Sequence, residues 1–230
     1  MPHANYAFRV VYEDNHLIVV NKRSGILVQG DKTGDVPLLD LVKSYIKEKY
    51  NKPGDVFLGT VHRLDRPVSG LVVFARTSKA LQRMNELFKS REIQKIYWAV
   101  VTRKPAAVQG ELMHWLVKNE QKNMTTAYNR EVPGSLQARL SYRLQAQSPG
   151  NYLLEVNPVT GRPHQIRVQL ASMGCPIRGD SKYGGVSVQP EGRIYLHARK
   201  LAFIHPVKKE PVVCTAALPE DTLWKQFDQI

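Results

Sequence analysis

The chain has 230 residues, with 33 Lys and Arg against 20 Asp and Glu, a net charge of +13 and a hydrophobic fraction of 43%. No apolar run approaches the roughly 18 residues that a membrane-spanning helix needs, and residues 1–12 lack the basic and long apolar regions of a secretory leader. Two cysteines, Cys175 and Cys214, are too few for a disulfide framework and have no paired metal-ligand spacing. Reduced thiols in apolar surroundings, a cytoplasmic location and no membrane partner are therefore expected. A chain of this size buries about 70% of its unfolded surface, enough for a core without covalent staples.

The charge is uneven. Residues 1–60 carry 8 basic and 7 acidic side chains, and residues 61–230 carry 25 and 13. A phosphate-rich partner accounts for such an excess, because Lys and Arg that neutralise phosphates release condensed counterions. The alternative is a solvated surface kept soluble by repulsion.

Along the chain, residues 10–12 and 17–20 read as two short strands joined by a turn at 13–16. Pro37 opens a helix with Leu38, Leu41, Val42, Tyr45 and Ile46 on one face. Residues 71–75 form a continuous apolar run of strand type. Thr77 or Ser78 then caps a helix that turns Ala80, Leu81, Met84, Leu87 and Phe88 inward and Lys79, Arg83, Lys89 and Arg91 outward. Residues 96–102 return as a strand, and residues 140–146 and 152–156 flank Ser148, Pro149, Gly150 and Asn151 as a hairpin. A short helix begins near His164, buries Ile166, Leu170 and Met173, and stops at Gly174. No linker, repeat or low-complexity block divides residues 1–230, so a single catalytic body is expected. Hairpins outnumber strand-helix-strand crossovers, which predicts an α+β fold with a large mixed, mostly antiparallel sheet and flanking helices.

Two constellations offer chemistry. Residues 59–70 contain His62, Arg63, Leu64, Asp65, Arg66, Pro67, Val68, Ser69 and Gly70, a loop in which a carboxylate lies between two arginines. Flanking positive charge keeps such a carboxylate ionised; the bland reading is an Asp that bonds turn amides or a surface ion pair. Residues 160–167 deliver Arg162, His164, Gln165 and Arg167 within a turn that opens a helix. A guanidinium fork there can orient a carboxylate or phosphate bidentately, and the competing reading is a basic helix end with one buried histidine. There is no nucleophile elbow, Walker loop, dinucleotide fingerprint or H-E-x-x-H, and no histidine sits in a metal-ligand spacing, so no cofactor and no metal are expected.

The order of the motifs resembles RluA-type RNA pseudouridine synthases. The resemblance rests on the His62 to Gly70 segment; on Tyr12, Glu13, Asp14, Asn21, Lys22 and Gly25; on Lys95, Ile96, Tyr97, Trp98 and Ala99; on Gly161 to Val168; and on Gly179, Asp180, Tyr183 and Gly184. Leu196, His197, Ala198, His205 and Pro206 complete it. It implies a pseudouridine synthase-like catalytic domain and an isomerase that breaks the N-glycosidic bond of a uridine in RNA, turns the uracil and joins its carbon 5 to the ribose. By this resemblance Asp65 is the essential carboxylate, as nucleophile or in proton removal. Arg167 pairs with it, and Tyr97 stacks on the base and assists proton transfer at carbon 5. Arg63 fills the place of the flipped uridine, and His62, Arg66, Arg162, His164 and Gln165 complete the RNA-contacting set. Arg23, Pro163 and Gln169 depart from the usual family residues beside these motifs.

About nine residues precede the catalytic motifs, so the S4-like RNA-binding domain of many relatives is expected to be missing at the N-terminus. Recognition is then expected to rest on a structured stem-loop in transfer or ribosomal RNA, bound by a monomer. Two other readings use the same residues: a non-catalytic RNA-binding or RNA-chaperone protein on this fold, and a hydrolase that releases free uracil.

Overall fold

The computed structural model describes residues 7–188 and 192–230; residues 1–6 of the N-terminal stretch read above lie outside them. In chain order the elements are β1 (Phe8–Glu13), β2 (Leu17–Lys22), α1 (Leu38–Lys49), β3 (Gly59–Thr60), β4 (Ser69–Ala75), α2 (Ser78–Lys89) and β5 (Gln94–Val101). There follow β6 (Gln109–Asn119), β7 (Met124–Tyr128), β8 (Leu136–Ser148), β9 (Asn151–Pro158), α3 (Gln165–Ser172), a 3-10 turn (Ser181–Tyr183), β10 (Leu196–Ile204), β11 (Pro211–Thr215) and α4 (Thr222–Lys225). The fold is α+β, with a large mixed, mostly antiparallel sheet and flanking helices, as the hairpin count predicts. The chain forms two compact units, residues up to 94 with 198–219 and residues 95–197 with 220–230. It returns to each unit after visiting the other, so no linker is there for the sequence to show.

In the first unit the strand order is β1, β2, β4, β10, β11, with β3 on the far half of β4. All seven residues of β4 are buried, which explains its uninterrupted apolar run: a central strand covered on both faces has no polar side to alternate with. Helix α1 buries Leu38, Val42 and Ile46. Its cap is not a side chain. Pro37 precedes the first turn, and the Leu38 and Leu39 amides donate to the carbonyls of Leu27 and Val28 at 2.7 and 3.1 Å. Helix α2 is capped by the Thr77 hydroxyl, which accepts from the Ala80 amide. Its Ala80 and Met84 enter the core with Leu17, Val19, Leu71 and Val73, and Leu81, Leu87 and Phe88 pack against them.

In the second unit the order is β5, β9, β8, β6, β7. The hairpin between β8 and β9 turns where expected, with Gly150 at φ 68°, a left-handed conformation that glycine adopts without a Cβ penalty. Strands β6 and β7 had no clear signal in the sequence, because one face of β6 leaves Met113 exposed and Trp115 half-buried. Helix α3 runs into Gly174 at φ 82°, a C-terminal stop of the expected kind. Cys175 and Cys214 are buried and free, and burial pushes both thiols up, Cys214 to about 11.

Candidate active site

In the first unit, the segment between β3 and β4 presents Asp65 half-exposed, flanked by exposed Arg63 and Arg66, while Leu64 and Val68 are buried and pin it down. The Val68 amide donates to the Asp65 carbonyl at 3.0 Å, closing a turn. Arg66 and Gly25 bond reciprocally. The Gly25 amide donates to the Arg66 carbonyl at 2.8 Å, and Arg66 Nε donates to the Gly25 carbonyl at 3.0 Å. His62 governs how the loop leaves the sheet. The ladder pairs Thr60 with Phe74, and at the next step the amide of Val73 donates to His62 Nε2 at 3.1 Å. The imidazole thus stands in for a backbone carbonyl, and its ring stacks on Phe88 with centroids 4.9 Å apart.

Beneath the loop lies a buried cation. Lys22 ends β2 with 1% of its surface exposed, and its Nζ donates to the carbonyls of Arg23, Ile26 and Arg66 at 3.0, 2.8 and 3.2 Å. Three ammonium protons match three acceptors. Burial pushes its pKa down to about 7, against the attraction of Asp65 and with the repulsion of Arg66. At the far end of the loop, Gly70 has φ 111°, and a Cβ there would lie 2.4 Å from the Ala198 carbonyl oxygen. Only glycine lets β4 pass β10 this closely.

In the second unit, the ladder places Tyr97 opposite Val156, and Val156 opposite Tyr142. Facing residues share one side of a sheet, and the same register carries that side on through Leu140, Ala138 and Leu116. Val168 of α3 packs on Leu116 and Ala138. Half-buried Tyr97 and helix α3 therefore lie on one face of this sheet.

Helix α3 is unusual in burying its polar residues. Gln165, Arg167 and Gln169 are all buried, and each makes side-chain hydrogen bonds, although Gln169 Oε1 finds no partner among the described residues. Gln165 Oε1 accepts from the Thr160 hydroxyl at 2.7 Å and the Arg162 amide at 3.0 Å, while its Nε2 donates to the Arg139 carbonyl at 3.0 Å. Gln169 Nε2 lies 3.2 Å from the Leu112 carbonyl and 3.1 Å from His114 Nδ1, tying the helix to β6. Arg162 Nε donates to the Gln137 carbonyl. Arg167 meets a carboxylate the sequence reading had not assigned to it. Its Nε and Nη2 donate to Asp180 Oδ2 and Oδ1 at 2.7 and 2.8 Å, with side chains only 5% and 1% exposed. Such a fork fixes the plane of the guanidinium.

Motif reading included Lys22 and Asp180 but gave neither a role. A lysine closing an apolar strand and an aspartate directly after Gly179 were the available signals. Among the described residues, no three His, Cys, Asp or Glu gather into a metal-binding group, and no helix is long and apolar enough to cross a membrane.

A family model described as RNA pseudouridylate synthase matches residues 16–172. Ribosomal large subunit pseudouridine synthase D of Xanthomonas campestris is 33% identical over 92% of this chain and 66% of its own length. Synthase C of Vibrio vulnificus is 30% identical with the same coverage. The chain thus spans about two thirds of the length of these relatives. The fold matches the solved human RNA pseudouridylate synthase domain containing 4, with TM-score 0.76 and 24% identity over 92% of this chain and 88% of that one. Human domain containing 1 gives TM-score 0.74 and 24% identity over 95% and 88%. The family match runs through both the Asp65 loop and α3, and on it and the relatives' identity this chain is a member of the RNA pseudouridylate synthase family.

Proposed function

We propose that this protein is an RNA isomerase that converts specific uridines of a structured ribosomal or transfer RNA to pseudouridine, without a cofactor, in the cytoplasm and on a single catalytic body. The observation that carries the proposal is the setting of Asp65: a half-exposed carboxylate on a loop clamped from below by the buried Lys22 ammonium, with Arg63 and Arg66 exposed on either side. The flanking arginines suit a loop that receives RNA phosphates beside the carboxylate, and the clamp removes the loop motion that would cost catalytic alignment.

In this reading Asp65 acts on the nucleoside, Tyr97 stacks on the base and assists proton transfer at carbon 5, and Arg167 aims the carboxylate. Arg63 fills the gap left by the flipped uridine, whose unstacking costs a few kcal/mol. Arg66, Arg162 and His164 contact the RNA, and His62 and Gln165 hold the loops that present them. The names of the bacterial relatives favour ribosomal RNA as the substrate.

The test is pseudouridine mapping in cells lacking the gene, complemented with wild type or Asp65→Asn, together with the purified proteins on bulk RNA. Loss of the reacting carboxylate should lower product formation by at least about a hundredfold, with RNA binding retained. Free uracil in place of pseudouridine would identify a hydrolase. Binding with no product from wild-type protein on any RNA would leave an RNA-binding role and overturn the proposal.

A further inference from the structure

In the first unit, residues 28–37 form a second loop beside the Asp65 loop, and its ends are closed on each other. Val28 and Pro37 are buried at its base, while residues 29–36 are all exposed. The Leu38 and Leu39 amides bond to the carbonyls of Leu27 and Val28 across that base, the arrangement of a compact surface loop with a shape of its own. Its charged residues are Asp31, Lys32 and Asp35. Asp31 Oδ1 accepts from the Thr33 amide at 2.8 Å and from the Thr33 hydroxyl at 2.5 Å, which fixes the turn leading to Asp35.

Asp35 is presented to Arg66, the residue after Asp65. Arg66 Nη2 lies 2.7 Å from Asp35 Oδ2, and Arg66 Nε donates to the Gly25 carbonyl at 3.0 Å. Nε and Nη2 bound one edge of a guanidinium, an edge that takes a carboxylate or a phosphate side-on; here a carbonyl and a carboxylate share it. The Thr33 hydroxyl is 3.3 Å from Asp35 Oδ2, but it has a single proton and the nearer acceptor is Asp31. The guanidinium is therefore the main donor to Asp35. Its attraction reaches further into the loop: the Asp31 carboxyl is held below its ordinary value, by the Thr33 hydroxyl and amide first and by Arg66 in addition. The pair is also cheap to open. Its side chains are 45% and 51% exposed, and exposed pairs are weak and screened by salt.

We infer that Asp35 occupies the place of an RNA phosphate on Arg66 and gives it up when RNA binds, so that this carboxylate sets how tightly the Asp65 loop holds RNA. The inference rests on the RNA contact proposed above for Arg66. An RNA backbone arriving there meets an arginine already engaged by a carboxylate, and has to replace it or lie beside a like charge. Removing the carboxylate should tighten binding by the small worth of the exposed pair. It should leave the chemical step alone, because substrate and transition state gain equally.

Asp35→Asn removes the charge at nearly constant shape. Polyadenylate has a phosphate backbone and no uridine, so it reads phosphate capture apart from catalysis. At low salt Asp35→Asn should bind polyadenylate about two- to fivefold more tightly than wild type, and the gain should shrink as salt is raised. In an Arg66→Ala background the same change should alter affinity by less than about 1.5-fold. Arg66→Ala alone should reduce the slope of log affinity against log salt by about 0.7, the share of one phosphate on a single strand. On the mapped RNA, Asp35→Asn should lower KM about two- to fivefold with kcat within about twofold of wild type.

Weaker polyadenylate binding by Asp35→Asn overturns the inference, since Asp35 would then be a support that aims Arg66 at the phosphate. Unchanged affinity overturns it as well, and so does a gain of equal size with and without Arg66, which would be an effect of bulk charge. Wild-type protein that makes no pseudouridine while the polyadenylate measurements come out as stated overturns the proposed reaction and leaves the Asp35 exchange standing.

Discussion

The Asp65 loop and helix α3 hold their charged groups by different means. Under the loop, the Lys22 ammonium is neutralised by no carboxylate hydrogen-bonded to it; it is solvated by three backbone carbonyls. On α3, the Arg167 guanidinium is paired edge-on with a buried carboxylate and flanked by two glutamines that bond to carbonyls of their own. A cation solvated by carbonyls can lose its proton and leave the fold intact. A buried ion pair cannot lose one member without stranding the other. The loop therefore covers a titratable cation, and α3 carries a rigid ion pair.

The sharpest way to break this contrast is to remove Asp180. Asp180→Ala leaves Arg167 charged in a buried place without its partner and should destabilise the protein by about 3–5 kcal/mol, read by chemical denaturation. A loss below about 1 kcal/mol would mean that α3 is no more dependent on pairing than the loop is. Lys22→Met comes next. It leaves three carbonyls with apolar company, at a cost of about 1–3 kcal/mol.

The pH dependence of wild type sharpens the point further. The folded-state pKa of Lys22 is near 7, below its ordinary 10.5. Between these values the unfolded chain binds more protons, so the stability of wild type relative to Lys22→Met should rise as pH rises through that window. Activity should move the other way. A neutral amine has two donors for three carbonyls, so the wild-type rate should fall above pH 7, and Lys22→Met should lack that limb. A pH-rate profile on each protein, with denaturation at pH 6 and pH 9, checks both signs. The smallest effect belongs to Arg66→Ala. The Arg66 to Asp35 bridge measures 2.7 Å but is about half exposed on both sides, and exposed pairs contribute under about 1 kcal/mol. The Lys22 ammonium and the Gly25 amide bond to the Arg66 backbone carbonyl and survive the change, while the exposed Arg66 Nε bond to the Gly25 carbonyl is lost with the bridge. A larger loss would show that the loop depends on surface charge after all.

The same contrast explains what could be read in advance. The strands flanking Asp14, the run at β4, the Thr77 cap and the Pro149 and Gly150 turn were legible because each is written in a few neighbouring residues: alternation, apolar continuity, a capping hydroxyl, a left-handed glycine. The resemblance of the ordered motifs put forward Asp65, Tyr97 and Arg167 as a set. Strands β6 and β7 were not legible, since exposed Met113 and half-buried Trp115 blur their alternation. Helix α3 was placed by its apolar residues Ile166 and Leu170, yet its character comes from the polar ones between them.

The sequence by itself determined the class of fold and the family, because local propensity and ordered motifs survive without knowledge of distant partners. Only the tertiary structure decided that Lys22 is a buried cation under the Asp65 loop, that Arg167 is held by Asp180, and that Asp35 meets Arg66. Each of these pairs spans from 13 to 44 residues of chain, or brings together elements whose facing sides depend on sheet register. Burial changes what a charge or a hydroxyl is worth, and burial is a property of the folded neighbourhood, which no short stretch of residues specifies.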